Sequence, residues 1–211
     1  MNFEIVYEDD DILVVNKGHG LLVLPDRYDK DLPNLKDHLT EVYGRIFVIH
    51  RLDYGTSGLM VFAKNERSHR NLSIQFERSE VNKRYYAICK GGFPSDLTCM
   101  LPISKVNYHG RYKINFKSGR KALTSFFVLD RFSDKTLIDV VPLTGRSHQI
   151  RVHLKALGYP LYYDFLYNEK REDKRLTLQA YYLRFKHPVK TTVMEFQTDI
   201  SDFLKEILKI S

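Results

Sequence analysis

The 211-residue sequence predicts an α+β fold built on a mixed, largely antiparallel central sheet flanked by helices and loops. Two observations carry that expectation. Strand-like segments outnumber helical ones, and the two kinds do not alternate regularly, which disfavours a doubly wound parallel sheet. In chain order, the acidic start MNFEIVYEDDD passes directly into strand-like sequence, and apolar runs predict strands over Ile12–Val15, Phe47–Ile49, Leu59–Ala63 and Tyr85–Cys89. Further strands are expected over Tyr112–Phe116, Leu123–Leu129, Leu137–Val141 and Thr192–Gln197. Helices are expected near Asn34–Val42, Glu66–Arg78, Ser147–Leu157 and Asp202–Lys209. The third has the best pattern: Ile150, Leu154 and Leu157 fall at i, i+4 and i+7, with Gly158 and Pro160 as stop signals.

Hydrophobic residues make up 43% of the chain, enough for one good core or two small ones, and no linker divides it. The longest polar stretch, Asn168–Arg175, mixes both signs and reads as an exposed loop. There is no internal repeat, no low-complexity tract and no apolar run near the ~20 residues that span a bilayer. The N-terminus resembles neither a signal nor a transit peptide. Cys89 and Cys99 lack CxxC spacing, so a soluble protein of a reducing cytoplasm is expected.

Lys plus Arg exceeds Asp plus Glu by 33 to 26, a modest excess whose distribution says more than its size. Six basic residues (Lys105, Arg111, Lys113, Lys117, Arg120, Lys121) and no acidic one lie between Lys105 and Lys121, with Tyr108, Tyr112 and Phe116 among them. Basic side chains neutralise phosphates and aromatic faces stack on bases, a combination suited to RNA. The alternation also fits a hairpin that buries Tyr112, Ile114 and Phe116 and exposes Arg111, Lys113, Asn115 and Lys117.

The most informative stretch is His50–Gly58, HRLDYGTSG. Asp53 follows the apolar run Ile46–Ile49 and precedes Gly55, Thr56, Ser57 and Gly58, which read as a tight turn before the next strand. A strand-to-turn junction holds a side chain rigidly while leaving it facing a cleft. On spacing alone, a plain hairpin with an Arg51–Asp53 surface ion pair fits equally well. Metal and serine-hydrolase readings are weak. His148 and His153 are five apart and point to different faces of a helix, and GTSGL lacks the GxSxG elbow. Neither GxGxxG nor GxxxxGK occurs.

HRLDYGTSGLMVFAKN, the segment from Asn16 to Pro25, KRYYA (83–87) and TGRSHQIRVHL (144–154) together resemble the RluA family of RNA pseudouridine synthases. The order and spacing of these segments match from near residue 3 to about residue 200. The resemblance implies a pseudouridine-synthase-like catalytic domain that isomerises a uridine in structured RNA, transfer or ribosomal. It implies Asp53 as the catalytic carboxylate, Arg151 of His148-Gln149-Ile150-Arg151 as its cationic partner, and Tyr85 as the aromatic group packing on the target base. Arg51, Thr56, Ser57, His148 and Gln149 are implied substrate contacts, and no cofactor or metal is implied. At 100° per residue Arg151 lies at the edge of the apolar stripe of its helix, where a guanidinium reaches inward. A surface arginine covering the core edge fits the same position.

Three segments depart from the family pattern. Asn16-Lys17-Gly18-His19-Gly20 lacks the usual proline, which predicts a looser loop. The stretch Gly158–Asn168 lacks two usual glycines, and Tyr163 disfavours positive φ, so a remodelled turn is expected there. Leu178-Gln179-Ala180 carries glutamine in place of the usual histidine. Many relatives carry an N-terminal S4-type RNA-binding domain. Residues 1–211 read as a single catalytic domain without one, and a monomer is expected. The competing readings are a structured-RNA-binding module without catalysis and a hydrolase that releases the base.

Overall fold

The computed structural model describes residues 2–106, 110–168 and 175–209. Tyr108 and most of the polar loop Asn168–Arg175 lie outside them. The elements run β1 (Phe3–Glu8), β2 (Ile12–Lys17), α1 (Leu35–Tyr43), β3 (Phe47–Val48), β4 (Ser57–Ala63), α2 (Glu66–Glu77), β5 (Asn82–Lys90) and β6 (Leu97–Cys99). They continue with β7 (Ile103–Lys105), β8 (Tyr112–Ile114), β9 (Thr124–Arg131), β10 (Lys135–Pro142), α3 (Gln149–Ala156), β11 (Leu178–Lys186), β12 (Val193–Gln197) and α4 (Asp202–Leu208). The α+β class holds. No helix among the described residues is long and apolar enough to cross a membrane.

The chain forms two compact units, residues 1–82 with 180–198 and residues 83–179 with 199–211. In the first, β2 pairs antiparallel with β1 and β4, β3 pairs with β4, and β12 pairs with β11. Ile12, Val14, Leu59, Val61, Leu72, Leu183 and Phe185 fill its core, where each buried side chain stabilises by ~1.5–3 kcal/mol. Both helices start on asparagine caps: Asn34 Oδ1 accepts from Asp37 N–H (3.0 Å) and Asn65 Oδ1 from Ser68 N–H (2.9 Å). The Gln75 amide then docks α2 on β11, donating to Lys186 C=O (2.8 Å) and accepting from Lys186 N–H (2.9 Å).

In the second unit, β10 pairs antiparallel with β5 and β9, and β6 with β9. Alternation along β5 puts Tyr85, Ala87 and Cys89 against one core, with Phe126, Ile138 and Leu154, and Tyr86 and Ile88 against another, with Phe203 and Leu204. The hairpin β7–β8 packs Tyr112 and Ile114 on Val152 of α3. Phe116 does not follow them inward and is 78% exposed. The strand ends at Ile114 because Asn115 Oδ1 accepts from Lys117 N–H (2.9 Å) and Ser118 N–H (3.1 Å), closing a turn before Phe116 can continue the alternation.

Candidate active site

In the first unit, β3 pairs with β4 only at Phe47–Ala63 and Val48–Phe62, which leaves the HRLD segment as the connection between them. His50 ends the ladder: its Nε2 accepts from Val61 N–H (3.1 Å) and its ring stacks on Phe76 with centroids 4.6 Å apart. Buried Leu52 pins the loop from below. Thr56 N–H donates to Asp53 C=O (3.0 Å), closing a four-residue turn that presents a half-buried Asp53. Arg51 is exposed, while Thr56 and Ser57 are buried. The Ser57 hydroxyl has no hydrogen-bond partner among the described residues.

The turn is buttressed from β2. Lys17 is fully buried, and its ammonium donates to Gly18 C=O (2.9 Å), Leu21 C=O (3.0 Å) and Tyr54 C=O (3.5 Å). Burial pulls its pKa down to about 7 against the opposing influence of the Asp53 carboxylate. Gly20 N–H also donates to Tyr54 C=O (2.9 Å), and His19 Nδ1 donates to Gly55 C=O (2.8 Å). The loop that lacks proline is therefore tied down in another way. Gly18 N–H donates to Asn2 C=O (2.8 Å), a bond proline cannot make, and the Asn2 amide fills the space a side chain at 18 would take.

Gly58 serves the fold. Its φ is +119°, and a Cβ there would lie 2.1 Å from Ala180 C=O, so it permits close approach of the β11 backbone.

In the second unit, Tyr85 sits half-buried on β5, opposite Val140 of β10. Helix α3 begins at Gln149, slightly later than expected, because His148 adopts a left-handed conformation (φ 54°) as its N-cap. Arg151 is inward-facing, as its stripe-edge position predicts, with 2% of its side chain exposed. Its Nε donates to Asp164 Oδ2 (2.8 Å) and its Nη2 to Asp164 Oδ1 (2.7 Å), and its guanidinium lies over the Phe165 and Tyr167 rings. His148 Nδ1 bonds the Tyr167 hydroxyl (2.8 Å), which also accepts from Tyr112 N–H (2.9 Å), so α3 and the basic hairpin share one tyrosine.

Gln149 uses both ends of its amide within the chain. Its Oε1 accepts from Thr144 Oγ1 (2.7 Å) and Arg146 N–H (3.0 Å), and its Nε2 donates to Leu123 C=O (3.0 Å) and Thr124 Oγ1 (2.9 Å). It braces the loop ahead of α3. His153 likewise bonds Thr124 Oγ1 (2.9 Å) and Leu101 C=O (2.8 Å) in full burial, and burial lowers its pKa.

The altered segment Gly158–Asn168 is held by its own bonds. Tyr163 avoids positive φ, and the Asn168 amide, in place of glycine, donates to Leu161 C=O (3.0 Å) and Tyr162 C=O (3.1 Å). The Gln179 amide anchors the start of α4, donating to Asp199 C=O (2.7 Å) and accepting from Ser201 N–H (2.8 Å). Sequence reasoning missed Lys17 and His50 around the Asp53 turn in the first unit, and Asp164 and Tyr167 around Arg151 in the second. Lys17 and His50 lie inside segments carrying the resemblance, whereas Asp164 and Tyr167 lie in the stretch that departs from it.

The family described as RNA pseudouridylate synthase matches residues 11–156, a span that includes Lys17, Asp53, Tyr85 and Arg151. The fold agrees: human RNA Pseudouridylate Synthase Domain Containing 1 superposes with a TM-score of 0.81 at 30% identity, covering 98% of this chain and 86% of that one. The dual-specificity RNA pseudouridine synthase RluA of Haemophilus influenzae is 36% identical over 206 residues, covering 95% of this chain and 94% of the relative. An uncharacterized RNA pseudouridine synthase, YlyB of Bacillus subtilis, is 35% identical over 99% of this chain and 73% of its own length. The chain belongs to the RluA family of RNA pseudouridine synthases.

Proposed function

We propose that this enzyme isomerises a specific uridine in structured RNA, transfer or ribosomal, to pseudouridine, with Asp53 as the catalytic carboxylate. The N1–C1′ bond breaks, the base turns, a C5–C1′ bond forms, the C5 proton leaves and N1 takes up a proton. Atoms are neither gained nor lost, so the conversion needs no redox partner. The observation that carries the reading is the setting of Asp53. It sits half-buried on a turn closed through its own carbonyl and braced by the buried Lys17. A carboxylate held this way is preorganised to act on a sugar or base brought to it.

Tyr85 and Arg151 complete the proposed catalytic set, Tyr85 by stacking on the detached base, a contact of ~1–3 kcal/mol. A stacked uridine must first be extruded, which costs about a few kcal/mol. Exposed Arg51 suits the displaced backbone, and the hydroxyls of Thr56 and Ser57 and the imidazole of His148 are further substrate contacts. Gln149 acts by holding the loop, since its amide is already engaged.

Tritium release from RNA labelled at uridine C5, on pooled transfer and ribosomal transcripts, tests this directly. Release by the wild type and none by Asp53→Asn is expected. RNA binding without release by the wild type would favour a binding module, and free uracil as product would favour a hydrolase.

A further inference from the structure

The second unit carries a cavity of about 650 Å³ between β8, the C-terminal half of α3 and the turn at residues 165–168. Arg111, Lys113 and Lys155 stand on it with their side chains exposed, and its described lining includes no acidic residue. Its walls are aromatic and apolar, drawn from Tyr112, Phe165 and Tyr167. Three cations around an aromatic pocket match a nucleotide, whose phosphate takes the cations and whose base takes the ring faces. A simple anion would leave the aromatic wall unused, and an apolar ligand would leave the cations unpaired.

We infer that this groove is a second RNA-contacting subsite, which seats a nucleotide of the substrate other than the reacting uridine. The inference rests on RNA being the substrate. It goes further by assigning Arg111, Lys113 and Lys155 to phosphate contact and the groove to a base. The groove also bears on Arg151, because the Phe165 and Tyr167 rings that line it lie under the Arg151 guanidinium at 5.4 and 5.0 Å. An occupant packed on those rings therefore presses on the element that orients Arg151.

The test is filter binding of labelled transfer and ribosomal transcripts over a salt series, with thermal melting to confirm folding. The variants are Arg111→Ala/Lys113→Ala/Lys155→Ala, Ala156→Trp, which fills the groove and keeps its charges, and Arg67→Ala/Arg70→Ala/Arg78→Ala on α2 and its C-cap, which removes equal charge elsewhere. The groove triple should lose about tenfold or more in affinity, and its plot of log K against log salt should flatten by about two units. Ala156→Trp should weaken binding about tenfold. Wild-type binding by Ala156→Trp or an equal loss in the α2 triple would each overturn the subsite. The readout is binding, so absence of tritium release by the wild type would sink the enzymatic reading without deciding this one.

Discussion

Arg151 and Asp164 form a two-pronged ion pair in the second unit, with 2% and 0% of their side chains exposed. Asp164 Oδ1 also accepts from Leu166 N–H (3.0 Å) and Tyr167 N–H (3.2 Å), so one carboxylate orients the guanidinium and shapes the turn carrying the rings beneath it. Asp164→Ala takes away a buried counter-charge and the acceptor of two backbone N–H groups at once, and should cost about 3–5 kcal/mol in urea unfolding. Arg151→Met/Asp164→Leu, with both charges gone, should recover part of that stability while remaining without tritium release. A melt of Asp164→Ala that overlays the wild type would show that the pair does not support this turn.

Lys17 makes stability depend on pH in a direction opposite to that of a surface lysine. Its pKa falls from 10.5 to about 7 on folding. The unfolded chain therefore keeps a proton that the folded chain gives up between those values. The burial penalty is complete below pH 7 and fades as pH rises toward 10. Compared with Lys17→Met, the wild type should gain stability across pH 7 to 10, by at most ~1.4 kcal/mol per pH unit. Urea unfolding at pH 7, 8 and 9 reads the difference in slope, and parallel slopes would reject it. In Asp53→Asn, which lacks the charge that raises the Lys17 pKa, the rise should begin at lower pH.

These two pairs show why part of the site was legible and part was not. The turn signal made Asp53 a candidate and the helical stripe put Arg151 at the core edge, but on those local patterns a surface ion pair and a surface arginine fitted too, and the family resemblance chose between the readings. Lys17 ends a strand, where lysine ordinarily points to water; only the return of the Leu21 and Tyr54 carbonyls makes an interior position tolerable. Asp164 finds its arginine through tertiary structure, 13 residues back in the chain. Strand β11 was missed for a related reason. Its first four residues are all buried, Gln179 among them, so no inside-outside alternation marks it. No linker marks the boundary of the two units, because residues 180–198 return to the first.

Two glycines separate conformational strain from collision. Gly58 and Gly44 both have positive φ, 119° and 74°, but a Cβ at 58 meets the Ala180 backbone at 2.1 Å and one at 44 meets nothing within 4 Å. Gly44→Ala should cost about 1–3 kcal/mol from its positive-φ backbone alone. Gly58→Ala must also push two strands apart, so it should cost several-fold more or fail to fold. Equal melting temperatures for the two variants would mean that β4 and β11 separate at little cost.

Phe116 offers the sharpest test of the basic hairpin, because its departure from the core has no packing explanation. Tyr112 and Ile114 already complete the contact with α3, and the Asn115 turn lifts Phe116 outward beside Lys117. A large apolar ring held in water among cations costs solubility unless something covers it, and a base face is a covering the cations would favour. Phe116→Ala should lower RNA affinity by about 1–3 kcal/mol with little change in melting temperature, and Phe116→Tyr should retain most of the binding. Lys117→Ala should instead reduce the salt slope by about one phosphate's share, roughly 0.7 to 0.9. Loss of affinity in Phe116→Ala accompanied by a lower melting temperature would point to a packing role, and undiminished affinity would leave RNA contact to the groove side of the hairpin alone.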